Sequence, residues 1–301
     1  MIEEKEAKYL AYIKSKSPHI TINKIDYNFM DGKHNDIVVI NDAVVFKFAR
    51  YDWSACFVDN EVRIANLVKH NVNMPLPKFT PVEKGVAFCN FIEGIPMYRN
   101  EILLLENRVQ DRIAAQVGVF LKQMHSIPLI KVRESRIDDI PEIFTYEYWM
   151  TQFDEIQKKV FPYCGSYSQE YIRQIFKPVL ENERFFEFNP VLIHGEPAPY
   201  HFRFDKNAKR IKGVIGFGLS GPGDPAYDLG VLLDNMGEDF IRRMSAYYAA
   251  IPSLIERARF YAYVNQVCYC KNVADMITTR DFTHFRFNFK DRDVMPIGSG
   301  W

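Results

Sequence analysis

The chain has 301 residues, 48% hydrophobic and 25% charged, an ordinary globular composition that excludes a disordered or membrane-embedded class. Its 38 basic and 38 acidic residues cancel, so no global field recruits nucleic acid or anionic lipid. The longest apolar runs, such as Val44-Val45-Phe46 and Ile102-Leu103-Leu104-Leu105, fall far short of the roughly 20 residues of a spanning helix. The opening "MIEEKEAKYL" is charged and mixed in sign, unlike a secretion signal. Five scattered cysteines (Cys56, Cys89, Cys164, Cys268, Cys270) read as reduced packing residues, so a cytoplasmic location is expected.

In chain order, residues 5–16 place Tyr9, Leu10 and Ile13 at helical spacing and predict a first helix. "ITINKIDYNF", "DIVVIN" and "AVVFKFAR" are β-branched and aromatic runs separated by "MDGKHND" and by Asn41-Asp42, the pattern of an antiparallel meander. A helix is expected over "CFVDNEVRIANLVKHNV", then strands around a Lys84-Gly85 turn in "LPKFTPVEKGVAFCNFIEG". From about residue 100 the periodicity is helical. Val109, Ile113, Ala114, Val117, Phe120, Leu121 and Met124 recur at steps of three and four, and residues 142–160 and 169–185 read as further helices. Two short strands, Val191 to His194 and Lys212 to Phe217, precede helices reaching about residue 280, and "RDVMPIGSGW" reads as a loosely held tail. The expected organisation is α+β: a strand-rich lobe over 1–94, a linker near Ile92–Pro96, and a mainly helical lobe over 95–301.

Several residues have the placement that chemistry needs. Alternation puts Lys47 on the same strand face as Val45, where an ammonium requires a partner, and Glu61 on the following helix is the natural one. Such a pair holds the lysine against nucleotide phosphates, although a snorkelling surface lysine shows the same local pattern. Gly32 in "NFMDGKHNDIVVI" lies where a loop could cover phosphates, and the backbone of Asn90 and Ile92 where it could meet a purine edge; an ordinary turn and a plain linker account for them equally. His194, Glu196 and His201 fall on one turn in "VLIHGEPAPYHFRFD". A hairpin with "GVIGFG" brings them to the Gly216-Phe217-Gly218 turn, combining a carboxylate with imidazoles in the manner of a base and a metal ligand. Asp224, between Gly223 and Pro225, has the context of a helix N-cap. Asp234, Glu238 and Asp239 follow on the next apolar helix and could line a cleft for a cation; Tyr261, Tyr263 and Gln266 are weaker candidates on a later one.

The order of Lys47, Glu61, the linker, "LKQMHSIP", "LIHGEPAPYHFRFD", "GVIGFG" and "GDPAYDL" resembles the aminoglycoside phosphotransferases over about residues 20–275, and most of all the 2''-phosphotransferases, because His201 stands where most relatives carry asparagine. The resemblance implies the two-lobed protein-kinase-like fold, ATP or GTP as phosphoryl donor, Mg2+, and a cationic aminoglycoside-like acceptor bound by a monomer. It implies that Lys47 holds the α/β-phosphates and Glu61 orients it, that His194 stabilises the catalytic loop, and that the carboxylate at 196 accepts the acceptor's proton. His201 and position 216 would hold the metal ions, and Asp224 would brace the catalytic loop. Two positions depart from the family, which has aspartate both where Glu196 stands and where Gly216 stands. The first change adds a methylene, and a displacement on the order of 1 Å can cost about a hundredfold in rate. The second removes a charged metal ligand that an imidazole does not replace. A catalytically impaired, pseudokinase-like nucleotide- or drug-binding protein is therefore the alternative expectation.

Overall fold

The computed structural model describes residues 2–29, 34–137 and 140–280. Helix α1 (Ile2–Lys16) precedes strands β1 (Ile25–Asn28), β2 (Asn35–Ile40) and β3 (Val44–Ala49), helix α2 (Ala55–Val68), and the hairpin of β4 (Phe79–Glu83) and β5 (Val86–Asn90). After β6 (Ile95–Pro96) come helices α3 (Arg99–Leu103), α4 (Asn107–His125), α5 (Leu129–Glu134), α6 (Tyr146–Lys159) and α7 (Ser166–Leu180). Strands β7 (Val191–Ile193), β8 (Phe202–Asp205), β9 (Arg210–Val214) and β10 (Gly221–Gly223) follow, then helices α8 (Pro225–Met236), α9 (Glu238–Met244) and α10 (Ile251–Thr279). This is the expected α+β, two-lobed arrangement: an antiparallel sheet lobe followed by a helical one.

The five-stranded sheet has the order β1-β2-β3-β5-β4, all neighbours antiparallel. Because side chains alternate across a strand, its two faces bury different residues. Val38, Ile40, Phe46 and Phe48 pack with Ile13 of α1, and Tyr9 stacks on Phe48 with ring centroids 4.2 Å apart. Buried Asp36 on β2 fastens that helix, accepting from Tyr9 Oη at 2.7 Å and pairing with Lys5 at 2.6 Å and Arg50 at 3.1 Å. The opposite face, with Ile37, Val39, Val45, Ala87 and Cys89, packs on Val58, Val62 and Ala65 of α2. Lys47 belongs to this second face.

The β2–β3 turn is built by Asn41 and Asp42, both left-handed with φ of 55° and 49°, as a tight hairpin turn requires. The Asn41 side chain accepts from Asn23 N and Lys24 N, each at 2.9 Å, and donates to Thr21 O at 2.7 Å. Residues 21–24 are thereby held by a side chain instead of a ladder, which is why the strand expected from residue 20 begins at Ile25. In the helical lobe, Ile113, Ala114, Val117, Phe120, Leu121 and Met124 of α4 are fully buried, as their spacing demands. Three strands escape the sequence pattern: β6 is two residues long, β8 lies in what reads as loop, and β10 is Gly-Pro-Gly, a composition without strand propensity. β10 exists because it pairs with buried β7. All five cysteines are free thiols. No helix among the described residues is long and apolar enough to cross a membrane. The tail at 292–301 lies outside the described residues.

Replacing Asn41 tests how this turn anchors the sheet edge. Asn41→Ala loses three hydrogen bonds and strains a left-handed residue, so stability falls by about 2 kcal/mol in urea unfolding. Asn41→Gly relieves the strain while leaving the hydrogen bonds unmade, and recovers only part of the loss.

Candidate active site

Lys47 lies on the α2-facing side of β3 and is almost fully buried. Its Nζ donates to both carboxylate oxygens of Glu61 at 2.8 Å. Glu61 is 1% exposed and also accepts, through Oε1, from the backbone N–H groups of Gly216 at 3.2 Å and Phe217 at 3.3 Å. The adjacent Asn60 donates to the carbonyls of Gly218 at 3.0 Å and Ser220 at 2.8 Å. One turn of α2 therefore docks the sheet lobe onto the 216–220 segment. The pair expected from sequence is formed, and it reaches further than expected, into the second lobe.

The turn after β7 carries His194 and Glu196. Buried Asp228, on the first turn of α8, accepts from His194 N at 2.8 Å and Gly195 N at 2.9 Å, and His125 Nε2 lies 3.0 Å from the same carboxylate. His125 Nδ1 in turn meets Tyr248 Oη at 2.9 Å. Gly195 has φ of 83°, and a Cβ there would stand 2.3 Å from the Leu219 carbonyl, so only glycine fits. The fully buried His194 ring closes the loop: Nε2 donates to Ile215 O at 3.2 Å and Nδ1 accepts from Glu196 N at 3.3 Å. Burial pushes this imidazole down to about 3, with nearby His201 a smaller cause in the same direction, so it is neutral at physiological pH. Glu196 is half-buried, and one of its carboxylate oxygens accepts from Tyr200 Oη at 2.6 Å.

His201 lies in a short 3-10 turn, its Nδ1 donating to the Glu196 carbonyl at 2.7 Å while its own carbonyl accepts from Ile215 N at 2.9 Å. The ring covers Gly216. A Cβ on Gly216 would be 2.4 Å from His201 Nε2 and Cδ2, and the glycine has φ of 83°, a left-handed conformation that aspartate adopts more readily than most residues. Here the expected magnesium site can be tested against its donors. Mg2+ demands an octahedron of hard oxygen ligands. Gly216 supplies no side chain, Glu61 is engaged by Lys47 and two amides, and Glu196 by Tyr200; among the described residues no three His, Cys, Asp or Glu side chains gather as a metal cluster. The residues present do not fit the ion.

The remaining expected residues have other surroundings. Asp224 is the N-cap of α8, accepting from Ala226 N at 2.9 Å, and it binds Arg257 through two hydrogen bonds of 2.7 and 3.1 Å and Tyr261 Oη at 3.2 Å. It does not brace the turn that carries His194 and Glu196; Asp228, which sequence reasoning passed over, does so. The available signal was an acid among Leu229, Leu232 and Leu233 of an otherwise apolar helix, which has to be buried with donors. Glu238 is paired with Arg242 at 2.9 Å and Arg259 at 2.7 Å, and these guanidiniums, Arg259 first, pull its carboxyl down to about 2. Asp239 pairs with Arg243 at 2.9 Å, and buried Asp234 accepts from Asn265 at 3.3 Å. Two of the three acids expected for a cationic ligand thus already face arginines. Tyr261 is core, whereas Tyr263 and Gln266 are exposed on α10. Asn90 accepts from Lys78 N at 2.8 Å, and Ile92 is buried against the α2-facing cluster, which includes Ile215. Gly32 lies outside the described residues. A separate open cavity of about 590 Å³, lined by Met74, Pro75, Arg112, Phe120, Lys212 and others, contains none of these residues.

A buried lysine–glutamate pair in a sheet lobe, facing a histidine-anchored loop in a helical lobe, defines the kinase-like class of folds. Residues 29–263 match the model of the phosphotransferase enzyme family, and the chain belongs to that family. Comparison with solved structures agrees on the fold. The GDP complex of wild-type aminoglycoside 2'-phosphotransferase-IIIa superposes with a TM-score of 0.81 at 21% identity, covering 92% of this chain and 94% of that one. The streptomycin–ATP complex of a 2''-phosphotransferase of type IIa gives 0.69 at 20% identity, over 93% and 96% of the two chains. A macrolide 2'-phosphotransferase from Brachybacterium faecium gives 0.68 at 15% identity, over 91% and 94%. A search of curated proteins found no match.

Two measurements check this geometry. Asp228→Ala strands two buried amides and His125, so the variant loses about 3 kcal/mol or more by denaturant unfolding, whereas Asp239→Ala, at an exposed pair, changes stability by less than about 1 kcal/mol. His194 is neutral when folded but takes up a proton near its ordinary value of 6.5 when unfolded. Its contribution is complete above pH 6.5 and is lost as pH falls toward 3, at about 1.4 kcal/mol per pH unit. His194→Asn flattens that slope between pH 6.5 and 5.

Proposed function

We propose that this protein is a phosphotransferase that binds ATP or GTP in the cleft beside Lys47 and transfers the γ-phosphoryl group, slowly, to a hydroxyl of a small cationic molecule of aminoglycoside type. The observation that carries the reading is the Lys47–Glu61 pair, buried and docked by the same carboxylate onto the 216–217 segment. An ammonium fixed in this way is suited to meet phosphate charge. Lys47 binds the α/β-phosphates, and Glu196, on a loop held by Asp228 and His194, orients the acceptor hydroxyl. As the acceptor oxygen attacks the γ-phosphorus, its proton passes to the Glu196 carboxylate, the bond to the β–γ bridging oxygen breaks, and the nucleoside diphosphate leaves. Positioning and charge neutralisation dominate such transfers, so a carboxylate one methylene longer than aspartate lowers the rate without removing the pathway. No step is assigned to a magnesium ion, because the residues at 201 and 216 do not fit one.

The acceptor class rests on the family and on the aminoglycoside complexes of its structural relatives, with buried Asp234, which accepts from Asn265, as the candidate acid. Antibiotic modification in the cytoplasm is the corresponding physiological role. A second reading, a nucleotide- or drug-binding protein without turnover, is favoured by Gly216, where the metal-binding carboxylate is missing.

Both readings are tested together. Melting with ATP or GTP at about 100 times Kd raises stability by about 2.7 kcal/mol in the wild type, and Lys47→Ala weakens binding by about 30-fold or more. Release of nucleoside diphosphate is then followed with a panel of aminoglycosides. Turnover that disappears in Glu196→Ala establishes the transferase; nucleotide binding without turnover establishes the binding protein; absence of nucleotide binding overturns both.

A further inference from the structure

We infer that nucleoside triphosphate binding by this protein is independent of a divalent cation, because the position from which the protein would hold the metal is closed by the His201 ring lying over Gly216. The inference rests on the nucleotide-binding reading above and reverses the expectation of Mg2+ drawn from the sequence.

The chain favours the metal-bound nucleotide over the free one through the ligands it gives the metal, since coupling between two ligands is a difference in interaction free energy. In this site that difference has no source. Position 216 presents backbone alone, and the volume in which its side chain would lie holds the imidazole edge, with His201 Nε2 and Cδ2 2.4 Å from the place of a Cβ. His201 is fixed there from two sides, by Nδ1 donating to the Glu196 carbonyl and by its own carbonyl accepting from Ile215 N. Of the carboxylates on the neighbouring segments, Glu61 is taken up by Lys47 and the amides of Gly216 and Phe217, and one oxygen of Glu196 by Tyr200. Leu219, two residues beyond the Phe217 amide, is apolar and partly exposed. A hard cation entering with the nucleotide would keep its water and phosphate ligands and gain no carboxylate from the chain. The charge that the protein itself offers to the phosphates is that of Lys47.

The test is calorimetric titration of the full chain with ATP and with GTP, in magnesium and in EDTA, with magnesium chloride alone as a third arm. The inference expects dissociation constants with and without the metal to agree within about threefold, and no heat from magnesium alone. Affinity at least about tenfold tighter in magnesium overturns it while leaving the nucleotide reading intact. Binding in neither condition overturns both. The double variant Gly216→Asp, His201→Asn restores a carboxylate and clears the ring from its path, so its nucleotide affinity becomes magnesium-dependent by about tenfold or more. The thermal melt of the variant establishes that it is folded. A folded double variant as indifferent to magnesium as the wild type would overturn the assignment of the closure to these two residues.

Discussion

Three segments far apart in sequence converge on the carboxylate of Glu61. It takes the Lys47 ammonium from the sheet and two amides from the turn after β9, and it does so at 1% exposure. A charge buried to that degree is tolerable only when every donor is in place, and removing one partner from such a pair costs about 3–5 kcal/mol. The position of α2 is therefore not adjustable. With α2 fixed, Asn60 holds the 218–220 segment, which carries the Leu219 carbonyl that abuts Gly195 and the Ser220 hydroxyl that donates to His194 O. The relative placement of Lys47 and the turn after β7 follows from one side chain.

The turn after β7 has an independent anchor in Asp228, and the two anchors hold the site through its backbone. Neither Glu61 nor Asp228 needs the residues at 196 and 216 to have particular side chains, since both bind backbone amides. A scaffold held through its main chain tolerates substitution of the groups it presents. Glu196 presents a carboxylate bonded to Tyr200, and at Gly216 the left-handed backbone leaves the side-chain volume to His201.

Much of this was legible in the sequence where periodicity or a local rule governs. The faces of β3 and α4 follow from alternation and from steps of three and four, and the turn at Asn41-Asp42 and the cap at Asp224 from residue type. Lys47 and Glu61 were joined because a lysine on an apolar face demands a partner. What was not legible depends on long-range pairing. β10 is a strand only because β7 lies beside it, and no property of Gly-Pro-Gly announces that. Asp224 caps α8 and Asp228 follows about one turn later on nearly the same face, so which of them meets the loop is decided by how far along its axis the helix starts relative to β7. The arginines facing Glu238 and Asp239 come from α9 and α10, one turn or some twenty residues away, so an acidic cluster read along the chain is substantially neutralised in space.

Asp224 lies in the interior with its charge answered by Arg257, 33 residues later on α10. During synthesis the sheet lobe has its own two cores, closed by residues no later than the turn after β9, and can form as the chain emerges. The helical lobe cannot. Until α10 has left the ribosome, α8 carries an unanswered buried carboxylate and an open apolar face, and the loop that α8 holds through Asp228 has no settled support. The support of the turn after β7 is thus completed only when α10 packs on α8.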